Sequence, residues 1–164
     1  MTGLLKTEYL SVDVLTPYER NARKHDETGV AAIKASIEQF GFLDPIGIWG
    51  PKNLVVEGHG RLMAAKEMGI TEVPCIRLDS LSDEQRRAYA LAHNKTAELS
   101  GWDFELLNLE IDELEEVGFD LKPLGFSEIL PPDSLDEFFT PVEEKQTKEQ
   151  KQVQCPRCGK MFTP

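Results

Sequence analysis

The chain has 164 residues, three cysteines and a net charge of −11. That length accommodates one compact domain with appendages, and the absence of any run of about 18 apolar residues excludes a predicted membrane span. The N-terminus lacks a secretory signal pattern and three cysteines make no disulfide framework, so a cytoplasmic protein is predicted.

The charge is unevenly distributed along the chain. Residues 1–100 carry 12 Lys/Arg and 14 Asp/Glu, whereas residues 101–164 carry 6 and 15. Affinity for duplex DNA comes mainly from neutralising its phosphates. Any contact with nucleic acid is therefore expected from the first hundred residues, and the acidic part is expected to be a solvated face.

The first predicted elements are a strand and a helix. Residues 9–15 alternate as a strand does, and Thr16-Pro17 marks a turn. Asp26 is expected to cap a helix that Gly41 ends. Its apolar face is predicted from steps of three and four residues at Val30, Ile33, Ile37 and Phe40.

Two further strands are predicted at residues 45–49 and 73–78, and a strand beginning at Leu54 lies between them. Pro74 favours an early or edge position, because proline donates no ladder hydrogen bond. The pattern of residues 82–85 predicts a capping box that opens a helix to about Leu99. A last helix runs from the cap Asp103 to Gly118, and its predicted inward residues are Leu106, Leu107, Ile111 and Leu114. Short strands followed by gathered helices indicate an α+β fold.

The junction at residues 54–61 is the most informative motif. An apolar run ends in Glu57, and Gly58-His59-Gly60-Arg61 then leads into a helical pattern. A strand, a glycine turn and a helix start present free N–H groups and the positive end of a helix dipole, which suit phosphate. Arg61 adds a planar fork that grips phosphate oxygens in pairs. The alternative interpretation is a tight turn with a surface arginine.

The C-terminal part of the sequence predicts a linker and contains a cysteine pair. Pro131-Pro132 begins an extended piece, and residues 143–154 hold a single apolar residue, so we predict a folded region at 8–127, a flexible linker at 128–153 and a tail at 154–164. Cys155 and Cys158 have the spacing to share one zinc ion. Closure of that site needs two more ligands, from a second copy in a homodimer or from a longer protein. The other alternative is a pair without metal.

Residues 10–126 resemble the ParB N-terminal/sulfiredoxin-like domain family, in the version often found beside phage and restriction-type DNA methyltransferases. Four pieces carry the resemblance, in order: residues 15–23, residues 33–46, residues 56–74 with the Gly58–Arg61 loop, and residues 88–103 with His93-Asn94-Lys95. The resemblance implies a small mixed sheet with packed helices and a nucleotide pocket.

The resemblance also implies a role for the loop. In ParB-type relatives a Gly-Glu-Arg-Arg motif cradles a nucleoside triphosphate; here Gly58 and Arg61 match, and Gly60 replaces the first arginine. Sulfiredoxins carry a catalytic cysteine in this loop, which this chain lacks. Free-serine kinases of the same fold carry a loop with Gly-His, so phosphoryl transfer stays open.

Further site residues follow from the same resemblance. Asn94 is expected to bind magnesium or phosphate, with Lys95 offsetting charge, or both are exposed helix residues. Arg20 and Arg23 are expected either to contact a nucleotide or DNA, or to be surface charges. Acids expected near the loop are Glu57, Asp26 and Glu27, as magnesium ligands or a general base, with capping favoured for Asp26. His59 takes part in acid–base chemistry or is a polar turn residue.

Three functions are compatible with these patterns. The first is a nucleotide-binding module in DNA metabolism of a phage or mobile element, acting as an adaptor or regulator with NTPase or nuclease activity. Its expected partners are DNA or a DNA-modifying protein such as a methyltransferase, and its expected cofactors are a nucleoside triphosphate or diphosphate with magnesium, and zinc. The alternatives are a small-molecule phosphotransferase and a non-catalytic interaction module.

Overall fold

The computed structural model describes residues 5–126 and two short strands at 153–154 and 161–162. Residues 1–129 and 130–164 form separate units. The helices and strands of the first unit, in chain order, are β1 (Thr7–Ser11), α1 (Glu27–Phe40), β2 (Ile46–Trp49), β3 (Leu54–Glu57), α2 (His59–Glu67), β4 (Glu72–Arg77), α3 (Asp83–Glu98) and α4 (Phe104–Glu116). Short 3-10 turns lie at Val12–Val14 and Lys122–Leu124. No helix in this described part is long and apolar enough to cross a bilayer.

The four strands of the first unit form one mixed sheet in the order β1-β4-β2-β3. β4 pairs with β1 antiparallel and with β2 parallel, and β2 pairs with β3 antiparallel. The predicted α+β class with a small mixed sheet is confirmed. β4 is an interior strand, but Pro74 precedes Cys75, the first residue of β4 that pairs with β2. The proline therefore lies where its strand has a neighbour on one side only.

The core lies between the sheet and α2. The largest fully buried side chains belong to the strands, at Ile46, Ile48, Val55, Val73 and Cys75. Leu62 and Ala65 of α2 join them in one cluster. Because α2 follows β3 after one residue, this packing fixes the N-terminus of α2 against the edge of the sheet.

Two sequence predictions were wrong in detail. Residues 12–14 form a 3-10 turn and do not continue the first strand, because the Ser11 side chain accepts a hydrogen bond from the Asp13 N–H group. In α4, Ile111 is buried, but Leu106 is 61 % exposed and Leu114 is 36 % exposed. Periodicity identifies the apolar face of a helix, and no neighbouring element among the described residues covers the whole of this face.

The second unit contains one described pairing. Strands β5 (Val153–Gln154) and β6 (Met161–Phe162) are antiparallel. The predicted linker and the cysteine pair Cys155 and Cys158 lie outside the described residues, apart from β5 itself.

Candidate functional site

The junction between β3 and α2 consists of one residue, Gly58. Its backbone is left-handed, with φ 83° and ψ 25°, a conformation that glycine adopts without strain. No described side chain caps the N-terminus of α2, whereas α1, α3 and α4 are capped by Asp26, Ser82 and Asp103. The first N–H groups of α2 are therefore available to an anion, and the helix dipole favours one there.

The N-terminus of α2 opens into a cleft of about 180 Å³, which we call the junction cleft. The segment before α1, the β3–α2 junction and the second half of α3 supply most of its walls. Its polar and charged lining residues are Asn21, Arg23, His25, Glu57, His59, Arg61, His93 and Asn94. A second cleft of about 240 Å³ adjoins it, shares Asn21 and Asn94, and also contains Tyr18, Arg20 and Arg87.

Arg61 folds back over the junction. Its Nη1 forms an ion pair with the carboxylate of Asp44, and its Nη2 donates to the Pro45 carbonyl at 3.1 Å. A Cβ atom on Gly58 would lie 3.1 Å from both Nε and Nη2 of this guanidinium. The guanidinium thus lies beside the open N-terminus of α2, and its buried Nε–H group has no partner among the described residues.

Gly60 lies where the family resemblance places an arginine. A Cβ atom there would lie 2.8 Å from Ile33 Cδ1 and 2.9 Å from His25 Nδ1. The space that a longer side chain would enter is therefore filled by Ile33 and His25. Close packing against Ile33 and His25 therefore explains why residue 60 is a glycine.

Glu57 is the buried carboxylate of the junction cleft. It is 8 % exposed, and its Oε2 accepts a hydrogen bond from the Tyr89 hydroxyl at 2.9 Å and pairs with His93 Nδ1 at 3.0 Å. Burial raises the pKa of Tyr89 to about 12, and the Glu57 carboxylate adds to that shift, so the hydroxyl is a donor at neutral pH. The absence of a side chain at Gly47 on β2 leaves space for the Glu57 side chain, because a Cβ atom there would lie 2.5 Å from Glu57 Cγ.

All three histidines of the chain line the junction cleft. Burial lowers the pKa of His25, with a further lowering from Arg23, and burial also lowers the pKa of His59, with a further lowering from His25. Both imidazoles are therefore largely neutral at pH 7 and gain charge under more acidic conditions. His59 Nε2 accepts a hydrogen bond from the Tyr18 N–H group at 3.2 Å, which ties the segment before α1 to the junction.

The structure brings together most of the residues that the sequence nominated. Seven of them line the junction cleft: Arg23, Glu57, Gly58, His59, Gly60, Arg61 and Asn94. Arg20 lies in the second cleft. Lys95 lines neither cleft and pairs with Glu98 at 3.1 Å, and Asp26 caps α1. Asn94 donates to the Ala90 carbonyl at 2.9 Å, which leaves its side-chain oxygen for a ligand.

The sequence analysis did not name Tyr89 or His93 as site residues. These two residues are four positions apart on α3, so they lie on one face of that helix, and this spacing was a usable signal.

The candidate metal residues fall into two groups. Cys155 and Cys158 lie outside the described residues. Within the described part of the chain, no group of three or more His, Cys, Asp and Glu side chains is arranged to hold a metal ion. Cys75 is fully buried, and burial raises the pKa of its thiol to about 11, so it is a small apolar residue of the core.

Comparison with known proteins gives consistent matches. The ParB N-terminal domain family matches residues 4–95. The ParB-like nuclease domain-containing protein YnaK of Escherichia coli K12 is 41 % identical over 87 residues, which are 53 % of this chain and 99 % of YnaK. Among solved structures, truncated chromosome-partitioning protein ParB from Caulobacter crescentus, complexed with CTP-γ-S, has a TM-score of 0.58 at 19 % identity and covers 73 % of this chain and 68 % of its own. Sulfiredoxin from Arabidopsis thaliana has a TM-score of 0.41 at 20 % identity, over 45 % of this chain and 85 % of its own.

Proposed function

Because the chain belongs to the ParB N-terminal domain family, we propose that it binds the phosphates of a nucleotide at the N-terminus of α2. The observation that carries this proposal is the uncapped start of α2, which opens into a cleft lined by Arg23 and Arg61. Free N–H groups, a helix dipole and guanidinium groups are the features that bind phosphate in proteins. The related ParB that was solved with CTP-γ-S supports a nucleotide as the source of the phosphates.

The two adjoining clefts provide separate places for the two ends of a nucleotide. The phosphates lie in the junction cleft, beside Arg61 and the start of α2. The sugar and base extend past Asn21 and Asn94 into the second cleft, where Tyr18 offers an aromatic ring and Arg87 a further cation. Magnesium, if bound, is held by phosphate oxygens with the free side-chain oxygen of Asn94, as is usual for this ion.

A thermal-shift screen of ATP, ADP, CTP and GTP, with and without magnesium, tests this proposal. A ligand at a hundred times its dissociation constant stabilises the protein by about 2.7 kcal/mol. Arg61→Ala is expected to abolish this stabilisation, because it removes the guanidinium that lies beside the start of α2.

The matched control is Asp44→Ala. Both substitutions remove the same ion pair, but Asp44→Ala leaves Arg61 free to bind the ligand. The control is expected to retain the nucleotide response at a similar cost in melting temperature. A full nucleotide response in Arg61→Ala would contradict the proposed site.

The cellular role that we propose is in the DNA metabolism of a phage or mobile element, as an adaptor or regulator. YnaK, whose name refers to a nuclease domain, supports the DNA-metabolism part of this role. The phage or mobile-element setting rests on the resemblance described in the sequence analysis. The balance of −9 over residues 101–164 disfavours tight DNA binding by the chain alone. We therefore propose a DNA-modifying protein such as a methyltransferase as the partner, which pull-down experiments can test. The hypothesis also includes a zinc ion bound by the tail and a homodimer.

A further inference from the structure

Arg61, whose guanidinium lies beside the start of α2, is already bound to an acid of this chain. Its Nη1 pairs with the Asp44 carboxylate, and its Nη2 donates to the Pro45 carbonyl at 3.1 Å. Asp44 and Pro45 belong to the segment of residues 41–45 that joins α1 to β2, which we call the α1–β2 loop. A phosphate at the start of α2 and this loop therefore require the same side chain.

In this arrangement Arg61 has no open pair of donors for a phosphate. A guanidinium can grip two oxygens at once through either of two edges, Nη1 with Nη2 or Nε with Nη2. The α1–β2 loop engages both nitrogens of the first edge. The second edge includes Nε, which is buried and has no partner among the described residues. Two donors of Arg61 can therefore hold a phosphate only after the side chain has left Asp44.

Asp44 can release Arg61 at low cost. Its carboxylate is 71 % exposed, whereas the Arg61 side chain is 20 % exposed. Within the described part of the chain, Asp44 makes no other ion pair. An exposed carboxylate regains water when its partner leaves, so an ion pair of this kind contributes little to stability. The contact is therefore one that an incoming anion can replace.

We propose that Asp44 is an internal competitor of the phosphate ligand: it occupies Arg61 in the empty site, and a phosphate binds by displacing it. This inference rests on the phosphate site proposed above and adds a form of regulation to it. The Asp44 carboxylate also repels an anion that is bound nearby. Both effects weaken binding, so the site fills only at ligand concentrations that overcome the competitor.

Release of Asp44 also affects the α1–β2 loop. The loop is fixed at its start by the Gly41 N–H group, which donates to the Ile37 carbonyl at 2.9 Å, and at its end by Ile46, a fully buried residue of β2. Between these two points lie Asp44 and Leu43, which is 78 % exposed. Loss of the Arg61 contact therefore loosens a short segment whose two ends stay in place.

Titration calorimetry of the full chain with CTP, ATP and GTP, in the presence of magnesium, tests the competition. Asp44→Asn keeps the shape of the side chain and removes its charge. It is expected to lower Kd by about fivefold, which is the upper end for a partly exposed ion pair. If Asp44 instead held Arg61 ready for phosphate, the same substitution would raise Kd, so the sign of the change decides between the two roles.

Two further variants serve as controls. Glu67→Gln removes the same charge and an ion pair with Lys34 at 3.3 Å, but Glu67 lines neither the junction cleft nor the second cleft. Its Kd is expected to match that of the parent, which separates competition at Arg61 from the net charge of the protein. Asp44→Glu retains a carboxylate and is expected to bind nucleotide less tightly than Asp44→Asn.

Hydrogen exchange of the α1–β2 loop provides a second readout. The Leu43 N–H group donates to the Gly41 carbonyl at 3.0 Å within this loop. If phosphate displaces Asp44, the ligand is expected to speed exchange at Leu43 and Asp44 while it slows exchange at the start of α2. Slower exchange at both places would show that Arg61 stays on Asp44, and the proposal would be overturned.

The calorimetric outcomes separate this proposal from the phosphate site itself. If neither the parent nor Asp44→Asn binds any of the nucleotides, the phosphate site is wrong and competition for it is withdrawn. If Asp44→Asn binds and the parent binds more weakly or not at all, both proposals are supported. If both bind and Asp44→Asn binds no more tightly than Glu67→Gln, the phosphate site stands and the competition is overturned.

Discussion

Among the described connections that lead from a strand into a helix, two satisfy the helix N-terminus in opposite ways. Between β4 and α3, Ser82 and Gln85 form a reciprocal capping box: the Ser82 Oγ accepts from the Gln85 N–H group, and the Gln85 Oε1 accepts from the Ser82 N–H group at 2.9 Å. Between β3 and α2, Gly58 supplies no cap. The first junction completes its own hydrogen bonds, whereas the second leaves donors for a ligand.

The charged groups around the two junctions also differ. At the start of α3, Arg86 is buried and bonds to Asp83 at 2.6 Å, and its guanidinium also lies 4.7 Å from the centre of the Tyr18 ring. The charges there are balanced within the protein. Around α2 the cleft is lined by Arg61, which pairs with Asp44, and by Arg23, which forms no ion pair among the described residues. The one carboxylate that lines the cleft, Glu57, contacts Tyr89 and His93. Both junctions keep one buried guanidinium nitrogen without a partner among the described residues, on Arg61 and on Arg86. The difference between them is therefore the missing cap of α2 and the cation Arg23 beside it.

The largest expected effect comes from Gly58→Ala. A side chain at φ 83° costs about 1–2 kcal/mol, and the added methyl would contact the Arg61 guanidinium at 3.1 Å. We expect a lower melting temperature together with loss of the nucleotide response. Thermal unfolding with and without nucleotide measures both.

Gly118→Ala is the matched control for that substitution. Gly118 has the same φ of 83° at the end of α4, and an added Cβ atom would meet nothing within 4 Å. The control is expected to show the backbone cost alone and to keep the nucleotide response. Equal nucleotide responses in the two variants would contradict a role of the β3–α2 junction in nucleotide binding.

A smaller effect is expected from Ser82→Ala at the capped junction. Loss of the cap costs about 1 kcal/mol of stability, and Ser82 lines neither cleft. Denaturant unfolding is expected to show the loss, with the nucleotide-induced gain in free energy unchanged. Asp103→Ala removes the cap of α4 and provides a comparison of similar size. A Ser82→Ala protein that no longer responds to nucleotide would mean that the two junctions are coupled.

The smallest effect is expected from pH, and it also separates the junctions. His25 and His59 have folded pKa values below the usual 6.5, so the unfolded chain takes up protons first. Their contribution to the free energy of unfolding is present above about pH 6.5 and is lost as pH falls through the lower folded values. Arg86 lowers the pKa of Asp83, so the capped junction changes only in much stronger acid.

A bound phosphate is expected to reverse part of this loss, because imidazolium groups attract it. The nucleotide-induced rise in melting temperature should therefore increase between pH 8 and pH 6. Melting curves across that range, with and without ligand, measure the effect. A ligand response that weakens towards pH 6 would argue against phosphate beside His25 and His59.

The sequence predicted the elements better than it predicted the site. Caps and glycines are local signals, so Asp26, Ser82, Asp103 and Gly41 marked helix ends that the structure confirms. The glycine loop was recognisable for the same reason. Local signals were insufficient for α4, because whether Leu106 is covered depends on distant elements.

The pairing of Glu57 with Tyr89 and His93 could not be read from the chain. Glu57 lies more than 30 positions from both of the other residues, and the contact depends on how α3 packs against the end of β3. The Gly47 position gives the same lesson, since its need for glycine comes from a side chain on the neighbouring strand. The sequence predicted Glu57 and His59 as catalytic residues and gave no role to His93, which lines the same cleft.

Cys75 provides the protein with a built-in reporter of its own opening. Thiol reagents attack the thiolate, and Cys75 is fully buried in β4, between β1 and β2, with its thiol pKa raised to about 11. It can therefore be alkylated only when the central strands separate. The labelling rate of Cys75, followed by peptide mass spectrometry, gives the frequency of that event without any introduced probe. Ligands that bind the native state slow the labelling, so the same thiol can rank nucleotides by how firmly they keep the sheet closed.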